Sequence, residues 1–126
     1  MNKMTNLIID AANKTIFLKI ITNGKSYTTE FINSRENFDK FSLIIFEFLK
    51  KNNIKIEEIS NILINQGPGV FSGIRSSIST VKALSLSNNI NIYGFNSNQV
   101  EKKNYNKVLD LFKKGALIKN IIKPHY

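Results

Sequence analysis

The sequence predicts a mixed α/β layer domain whose sheet is partly parallel. The first third alternates apolar and polar residues over three runs, and Asn23-Gly24 between the second and third run is a strong hairpin signal. Ile62–Ile64 is a short, wholly apolar run, typical of a strand that is buried on both faces. A helical pattern on each side of that run makes an alternating strand and helix order, which requires some parallel pairing. With 126 residues, we expect one compact domain.

Five strands are predicted. The first three, at about residues 5–11, 14–22 and 25–32, form an antiparallel meander because short turn segments separate them. The fourth, Ile62–Ile64, ends in Gln66-Gly67-Pro68-Gly69, and the fifth covers Ile90–Phe95. The sheet is therefore expected to combine a three-stranded meander with two parallel-type strands.

Three helices are predicted. The first covers Glu36–Lys51, and Asn33-Ser34 before it provides a capping residue. The second covers Phe71–Ser87, and the third covers Tyr105–Lys114 and ends near Gly115. The last part of the sequence, from Leu117 to Tyr126, is expected to be an extended tail that lies over the core.

The formal charge is +9, and it is concentrated in the second half of the chain. Residues 61–126 contain nine basic side chains and only Glu101 and Asp110 as acids. Arg35 and Arg75 are the only arginines, although arginine is the better binder of phosphate. We therefore favour a solvated lysine surface, and keep a nucleic-acid-binding surface as the alternative. The lysines concerned are Lys102, Lys103, Lys107, Lys113, Lys114, Lys119 and Lys123.

Composition excludes several classes of protein. The chain has no cysteine, so it cannot form disulfides or a thiolate metal site. Its longest apolar run, Leu43–Phe46, is far shorter than the roughly 18 residues of a membrane span, and its apolar start is too short for a signal peptide. We expect a soluble, cytoplasmic protein. The single histidine, His125, is the penultimate residue, so we expect neither a Ser-His-Asp triad nor a two-histidine metal site, and no metal or cofactor.

Asp10 is the one acidic residue in an unusual position, because it ends an apolar strand and enters a hairpin. A carboxylate there could hold a metal phosphate. However, hairpins that wrap phosphates need glycines, and the turn Ala11–Lys14 has none. We favour an Asx turn, and regard Asp10 as a possible vestigial nucleotide site.

The turn Gly67-Pro68-Gly69 is the most specific feature of the sequence. It joins a buried strand to a helix, so the first helical N–H groups point towards the loop and could bind an anion. The turn matches neither the Walker pattern nor the dinucleotide-binding pattern.

The helix after this turn has two uncharged sides. At about 100° per residue, Phe71, Ile74, Ile78 and Val81 form the core face. A second stripe contains small residues and no charge, whereas a surface helix normally carries charge opposite its core face. The members of this stripe are Ser72, Ser76, Ser79, Thr80, Ala83 and Ser87. We therefore expect that something covers it.

The first helix has the same property. Its broad apolar face is predicted to be core, yet Leu43 and Phe46 project from nearly the opposite side. That core face comprises Phe38, Phe41, Ile44, Ile45, Phe48 and Leu49. Both helices could pair with helices of a partner. The alternative is that the chain's own residues 97–126 cover both second faces.

The segment that begins at Gly67 resembles the bacterial TsaB (YeaZ) family, together with the strands before it. The family pattern is close to Gly-Pro-Gly-Ser-Phe-Thr-Gly-Leu-Arg followed by a helix of small residues. The resemblance covers about residues 5–98, with Val70, Ser72 and Ile74 as the substitutions within the motif. The matching residues are Gly67, Pro68, Gly69, Phe71, Gly73 and Arg75.

The resemblance implies an actin-like (ASKHA, ribonuclease H-like) lobe and a non-catalytic role. Such a protein would stabilise a TsaD-like catalytic subunit that forms N6-threonylcarbamoyladenosine at position 37 of tRNA, with a TsaE-like ATPase as a further partner and tRNA bound through the complex. A homodimer through the same helices is also expected. The partner surface would comprise Leu43, Phe46, Phe71, Ser72, Arg75, Ser76, Ser79, Thr80 and Ala83, beside the motif loop Gly67, Pro68, Gly69 and Gly73.

The sequence departs from the family after its first lobe. By this resemblance, we expect residues 1–98 to correspond to an N-terminal lobe and residues 99–126 to a basic helix and tail, with the second lobe missing. The closing Pro124-His125-Tyr126 resembles the end of family members. Two alternatives stay open: a small basic tRNA-binding module that uses the rear lysines, and a residual nucleotide-binding protein that uses Asp10 and the Gly67 turn.

Overall fold

A six-stranded mixed sheet forms the centre of the computed structural model, which describes residues 4–120 and 122–125. The strand order is β3-β2-β1-β4-β5-β6. The strands are β1 (Thr5–Asp10), β2 (Thr15–Thr22), β3 (Lys25–Ile32), β4 (Asn61–Asn65), β5 (Asn91–Phe95) and β6 (Ile118–Lys119). The helices are α1 (Arg35–Asp39), α2 (Phe41–Lys51), α3 (Phe71–Asn88) and α4 (Asn106–Lys113).

The pairing confirms the predicted meander and the parallel strands. β1, β2 and β3 are antiparallel neighbours, whereas β4 is parallel to β1 and to β5. At the turn between β2 and β3, Asn23 and Gly24 have φ values of 51° and 74°, as a type I′ turn requires. The prediction of five strands was wrong by one, because β6 pairs antiparallel with Tyr93 and Gly94 of β5. Its two residues are too few to produce a periodic signal.

The sheet is covered on both faces, and β1 shows why its sequence is continuously apolar. Leu7 and Ile9 pack into the larger core beneath α2 and α3. Ile8 points to the opposite face and packs with Val108 of α4. Because successive side chains of a strand alternate between faces, a strand covered on both sides must be apolar at every position.

The first predicted helix is interrupted. Ser34 caps α1 as predicted, and its Oγ accepts a hydrogen bond from Asn37 N at 3.3 Å. At Lys40, with φ of −117°, the chain leaves the helical path and α2 begins one residue later. The predicted single helix was therefore wrong at this position, where the sequence has no glycine or proline to indicate a break. The core side of α2 is buried as predicted.

The second predicted helix is confirmed as α3, and Asn89 ends it in the left-handed conformation with φ of 54°. Ile74, Ile78 and Val81 are buried as predicted. Phe71, placed on the same core face from the sequence, is 53% exposed. The buried side of α3 instead includes Gly73, Ser77 and Leu84, so its centre is turned away from Phe71.

Residues after β5 cover the second face of the sheet. The helix predicted for Tyr105–Lys114 is observed as α4, and Tyr105, Val108 and Leu117 are buried against β1, β4 and β5. Ile122 is also buried, so the described part of the tail lies on the core as predicted. Ile121 and Tyr126, which belong to the predicted tail, lie outside the described residues. None of the helices within the described residues is long and apolar enough to cross a membrane.

Candidate functional site

The motif loop between β4 and α3 is held from both sides. Asn65 Oδ1 accepts a hydrogen bond from Gly67 N at 2.8 Å, and Ser97 N donates to Gly67 O at 3.0 Å. Ser97 Oγ also donates to Pro68 O at 2.5 Å. From the tail, His125 N donates to Gln66 O at 2.6 Å. The loop is therefore fixed by the ends of β4 and β5 and by the tail.

The glycines of the motif allow close backbone contacts. A Cβ atom at Gly73 would overlap Ala11 O, and one at Gly69 would overlap Ala12 O. Gly67 has φ of +110°, and a Cβ there would overlap His125 O. Val70 N donates to Ala12 O at 2.8 Å, so this loop amide is bound within the protein. The pattern that resembles the family thus specifies how the loop packs on the β1–β2 turn.

Asp10 ends β1 beside this loop, and it is only 1% exposed. Its Oδ1 accepts hydrogen bonds from Ala12 N at 3.1 Å and from Asn65 Nδ2 at 3.0 Å. Its Oδ2 accepts a hydrogen bond from Tyr105 OH at 2.8 Å. The first bond forms the Asx turn that the sequence favoured. Three donors stabilise the buried carboxylate, as a buried charge requires.

Tyr105 is the residue that sequence reasoning missed. It was assigned only as the start of a helix, yet its ring stacks on Phe17 with centroids 5.1 Å apart and packs edge-on against Phe95. Burial and the adjacent Asp10 carboxylate raise the pKa of the Tyr105 hydroxyl well above its usual range. The phenol is therefore a fixed hydrogen-bond donor. No local pattern reveals this role, because Asp10 lies 95 residues away in the sequence.

A small polar pocket opens above this group at the carboxyl ends of the parallel strands. Its volume is about 240 Å³, and Asp10, Asn65 and Ser97 line it together with Lys102 and Lys103. The Lys103 ammonium bonds to the Glu30 carboxylate and lowers the pKa of Glu30 below its usual value. The described residues contain no group of three acidic or histidine side chains that could hold a metal ion. His125, the single histidine, is exposed in the tail.

The outer side of α2 and α3 carries the other predicted site residues. Leu43 is 53% exposed and Phe46 is 40% exposed. Along α3 the exposed residues of the predicted surface are Phe71, Ser72, Arg75, Ser79 and Ala83, whereas Ser76 and Thr80 are half-buried. The described part of the segment 97–126 leaves Leu43, Phe46 and the outer residues of α3 exposed, although Ile122 packs into the core beneath α2 and α3. The alternative that the tail covers both helices was therefore wrong.

A groove not predicted from the sequence adjoins Phe46. It lies between the end of α2 and the segment before β4, has a volume of about 660 Å³, and is mostly apolar. Phe46, Leu49, Ile54 and Ile56 provide its apolar wall. Leu86, which is also exposed at the far end of α3, was not predicted either. The exposed apolar surface is thus larger than Leu43 and Phe46 alone.

Comparison with known proteins gives the family. The model of the family described as TsaD, tRNA N6-adenosine threonylcarbamoyltransferase, matches residues 16–105, which is well over half of the chain. The chain belongs to this family. Among curated relatives, the tRNA threonylcarbamoyladenosine biosynthesis protein TsaB of Buchnera aphidicola is 30% identical over 87 residues. The tRNA N6-adenosine threonylcarbamoyltransferase of Geotalea daltonii is 37% identical over 65 residues.

Solved structures of TsaB/YeaZ share the fold. YeaZ from Pseudomonas aeruginosa aligns with a TM-score of 0.68 and 17% identity, covering 74% of this chain and 44% of that one. RuvC from T. thermophilus, in complex with Holliday junction substrate, aligns with a TM-score of 0.54 and 11% identity, covering 76% of this chain and 66% of that one. At these identities the likeness shows the fold alone, and it agrees with the predicted actin-like, ribonuclease H-like lobe.

The chain spans less than half the length of its TsaB/TsaD relatives. The alignment covers 68% of this chain but 39% of the Buchnera TsaB protein, and 52% of this chain but 19% of the Geotalea transferase. The matched family region contains β2–β5, the motif loop and both exposed helices. The family assignment therefore rests on the lobe that carries the candidate site.

Proposed function

We propose that this chain is a non-catalytic subunit that binds and stabilises a TsaD-like catalytic subunit for the N6-threonylcarbamoyladenosine modification at tRNA position 37. The observation that carries the proposal is the exposure of Leu43 and Phe46 on α2, beside the small residues of α3. Exposed apolar patches rimmed by polar residues are typical of protein interaction sites. Ser72, Ser79 and Ala83 would let a partner helix approach α3 closely.

The likeness of the lobe to both TsaB and TsaD proteins supports the kind of partner. The family model that matches residues 16–105 is that of TsaD itself. A TsaD-like partner would therefore present helices equivalent to α2 and α3. Two related lobes can pair through the same helices, as the two halves of an isologous dimer do. The expected homodimer would use this surface too, in competition with the partner.

The surroundings of Asp10 support the non-catalytic role. A catalytic carboxylate must reach substrate, and the Asp10 carboxylate is enclosed by Ala12, Asn65 and Tyr105. In the proposed complex, residues 1–98 supply the docking lobe and residues 99–126 a basic helix and tail. Catalysis belongs to the TsaD-like subunit, with a TsaE-like ATPase as a further partner, in the cytoplasm.

Co-expression with the TsaD-like protein of the same organism tests the proposal. Ala83→Arg places a long charged side chain on the exposed side of α3, so we expect it to abolish co-purification. Ala116→Arg is the matched control, because Ala116 is also exposed but lies beyond α4. Circular dichroism establishes that both variants fold. Unchanged complex formation by Ala83→Arg and by Ser76→Arg would overturn the proposed surface.

A further inference from the structure

Two consecutive lysines occupy a turn that usually contains asparagine and glycine. Lys102 and Lys103 have φ values of 48° and 63°, and Glu101 O accepts a hydrogen bond from Asn104 N at 2.8 Å across the turn. This left-handed conformation is unfavourable for a residue with a Cβ atom. The other such turn of the chain uses Asn23-Gly24. Backbone strain of this kind is concentrated at functional sites.

The strained turn directs positive charge to one edge of the protein. Lys103 binds Glu30, while Lys102 is exposed at the mouth of the polar pocket. At about 240 Å³, this pocket is smaller than the roughly 300–1,000 Å³ of small-molecule sites. The Asp10 carboxylate at its base also repels anions. A phosphate group would therefore bind at the lysine rim and would not enter the pocket.

The basic surface continues along α4 and the tail. Val108 of α4 is buried, and Lys107, Lys113 and Lys114 are exposed. Lys119 of β6 and Lys123 of the tail are exposed as well, and Lys103 is the one lysine of this group in an ion pair within the described residues. Exposed asparagines accompany the lysines and can donate hydrogen bonds to phosphate or ribose oxygens. These are Asn98, Asn104, Asn106 and Asn120.

The charge is not spread evenly over the molecule. Residues 97–125 carry seven lysines against Glu101 and Asp110. Residues 35–88, which include α1, α2 and α3, carry seven basic and five acidic side chains. Five of these lysines belong to the segment around α4, whose buried residues pack on the face of the sheet opposite α2 and α3, whereas Ile122 of the tail packs into the core beneath those two helices.

We propose that the α4 side of this chain, around Lys102, Lys107 and Lys114, binds the phosphate backbone of RNA. This inference rests on the proposed function and deepens it, because it assigns an RNA contact to this subunit itself. Several exposed lysines and asparagines without a deep pocket fit an extended polyanion better than a single nucleotide. A membrane surface fits less well, because the apolar side of α4 is already buried against the sheet.

Fluorescence anisotropy of a labelled tRNA transcript, titrated with the full chain over a series of salt concentrations, tests the inference. Two adjacent lysines lie at the end of each of two helices: Lys113-Lys114 at the end of α4 and Lys50-Lys51 at the end of α2. The α2 pair is therefore a matched control for the α4 pair. Each pair is changed to glutamine. We expect the α4 variant to weaken binding by roughly tenfold at low salt, and to reduce the slope of log K against log salt by about 1 to 2. The α2 variant should change affinity by less than about twofold, because it lies on the opposite side of the sheet.

The inference would be overturned if the chain did not bind tRNA at low salt, or if both variants lost the same amount of affinity for tRNA. It would also be overturned if millimolar ATP displaced the tRNA. A third contrary result would be that the α4 lysines bind phosphatidylserine vesicles or an acidic protein more tightly than they bind tRNA. Co-purification with the TsaD-like protein is measured on the same variants. Loss of tRNA binding with an intact protein complex would confirm the RNA surface, whereas the Ala83→Arg experiment decides the proposed function separately.

Discussion

The hydroxyl group of Tyr105 donates a hydrogen bond of 2.8 Å to Asp10 Oδ2, and so joins the region before α4 to the end of β1. Both residues are almost completely buried. Asn65 and Ala12 bind the other carboxylate oxygen, so one acidic side chain connects β1, β4 and the segment that leads into α4.

Tyr105→Phe should reduce the free energy of unfolding by about 1–3 kcal/mol, because it leaves Asp10 Oδ2 buried without its donor. Urea denaturation followed by circular dichroism measures the change. Tyr93→Phe is the control, since it removes a hydroxyl group from a half-buried tyrosine and retains a ring that packs on Phe112. Equal stabilities of the two variants would contradict a structural role for the Asp10–Tyr105 bond.

The same contact predicts a loss of stability at alkaline pH. Burial and the Asp10 carboxylate raise the pKa of Tyr105 above the value of about 10 that it has in the unfolded chain, so the folded state holds the phenolic proton more tightly than the unfolded state. The contribution is fully present below pH 10 and is lost as the pH rises beyond it, by about 1.4 kcal/mol per unit. Stability measured between pH 9 and 11 should fall more steeply for the wild type than for Tyr105→Phe. Parallel curves would show that the Tyr105 pKa is not raised.

Gly73→Ala should destabilise the protein by about 1–3 kcal/mol, because the added methyl group would overlap Ala11 O and force α3 away from β1. At a solvent-exposed position inside a helix, the same change stabilises the protein by about 1 kcal/mol, so the sign of the change in unfolding free energy tests the packing. Gly115→Ala is the control, because no atom lies within 4 Å of its added methyl group and only its φ of +72° is unfavourable. Chemical denaturation distinguishes these outcomes. A stabilising Gly73→Ala would disprove the close approach.

The isolated protein should self-associate through α2 and α3. Leu43→Glu places a charge in the exposed apolar patch, so we expect it to shift the sedimentation profile from dimer to monomer. Ile118→Glu provides the comparison, because Ile118 is 51% exposed and Leu43 is 53% exposed, but Ile118 belongs to β6. A wild-type profile that stays monomeric at high concentration would count against the dimer.

Five of the six strands were predictable because their signals are local. Asn23-Gly24 specifies a turn, and the apolar run Ile62–Ile64 indicates a strand with no solvated face. The break at Lys40 was not predictable, because the helical pattern continues through it. Phe71 was misplaced because helical phase alone does not reveal where the sheet beneath a helix ends.

The candidate site was only partly predictable for a different reason. The uncharged outer faces could be recognised from composition, since exposed helices normally carry charge. The role of Tyr105 and the contact between Gly67 and His125 depend on residues far apart in the sequence, and neither residue type indicates its distant partner.

The bond from His125 N to Gln66 O also affects the order of folding. Contacts between residues far apart in the sequence form slowly. The sheet β1–β5 can pair once Phe95 has left the ribosome, but the motif loop lacks one of its supports until His125 has also emerged. The loop is therefore expected to be the last part of the lobe to gain protection from amide hydrogen exchange in a nascent chain.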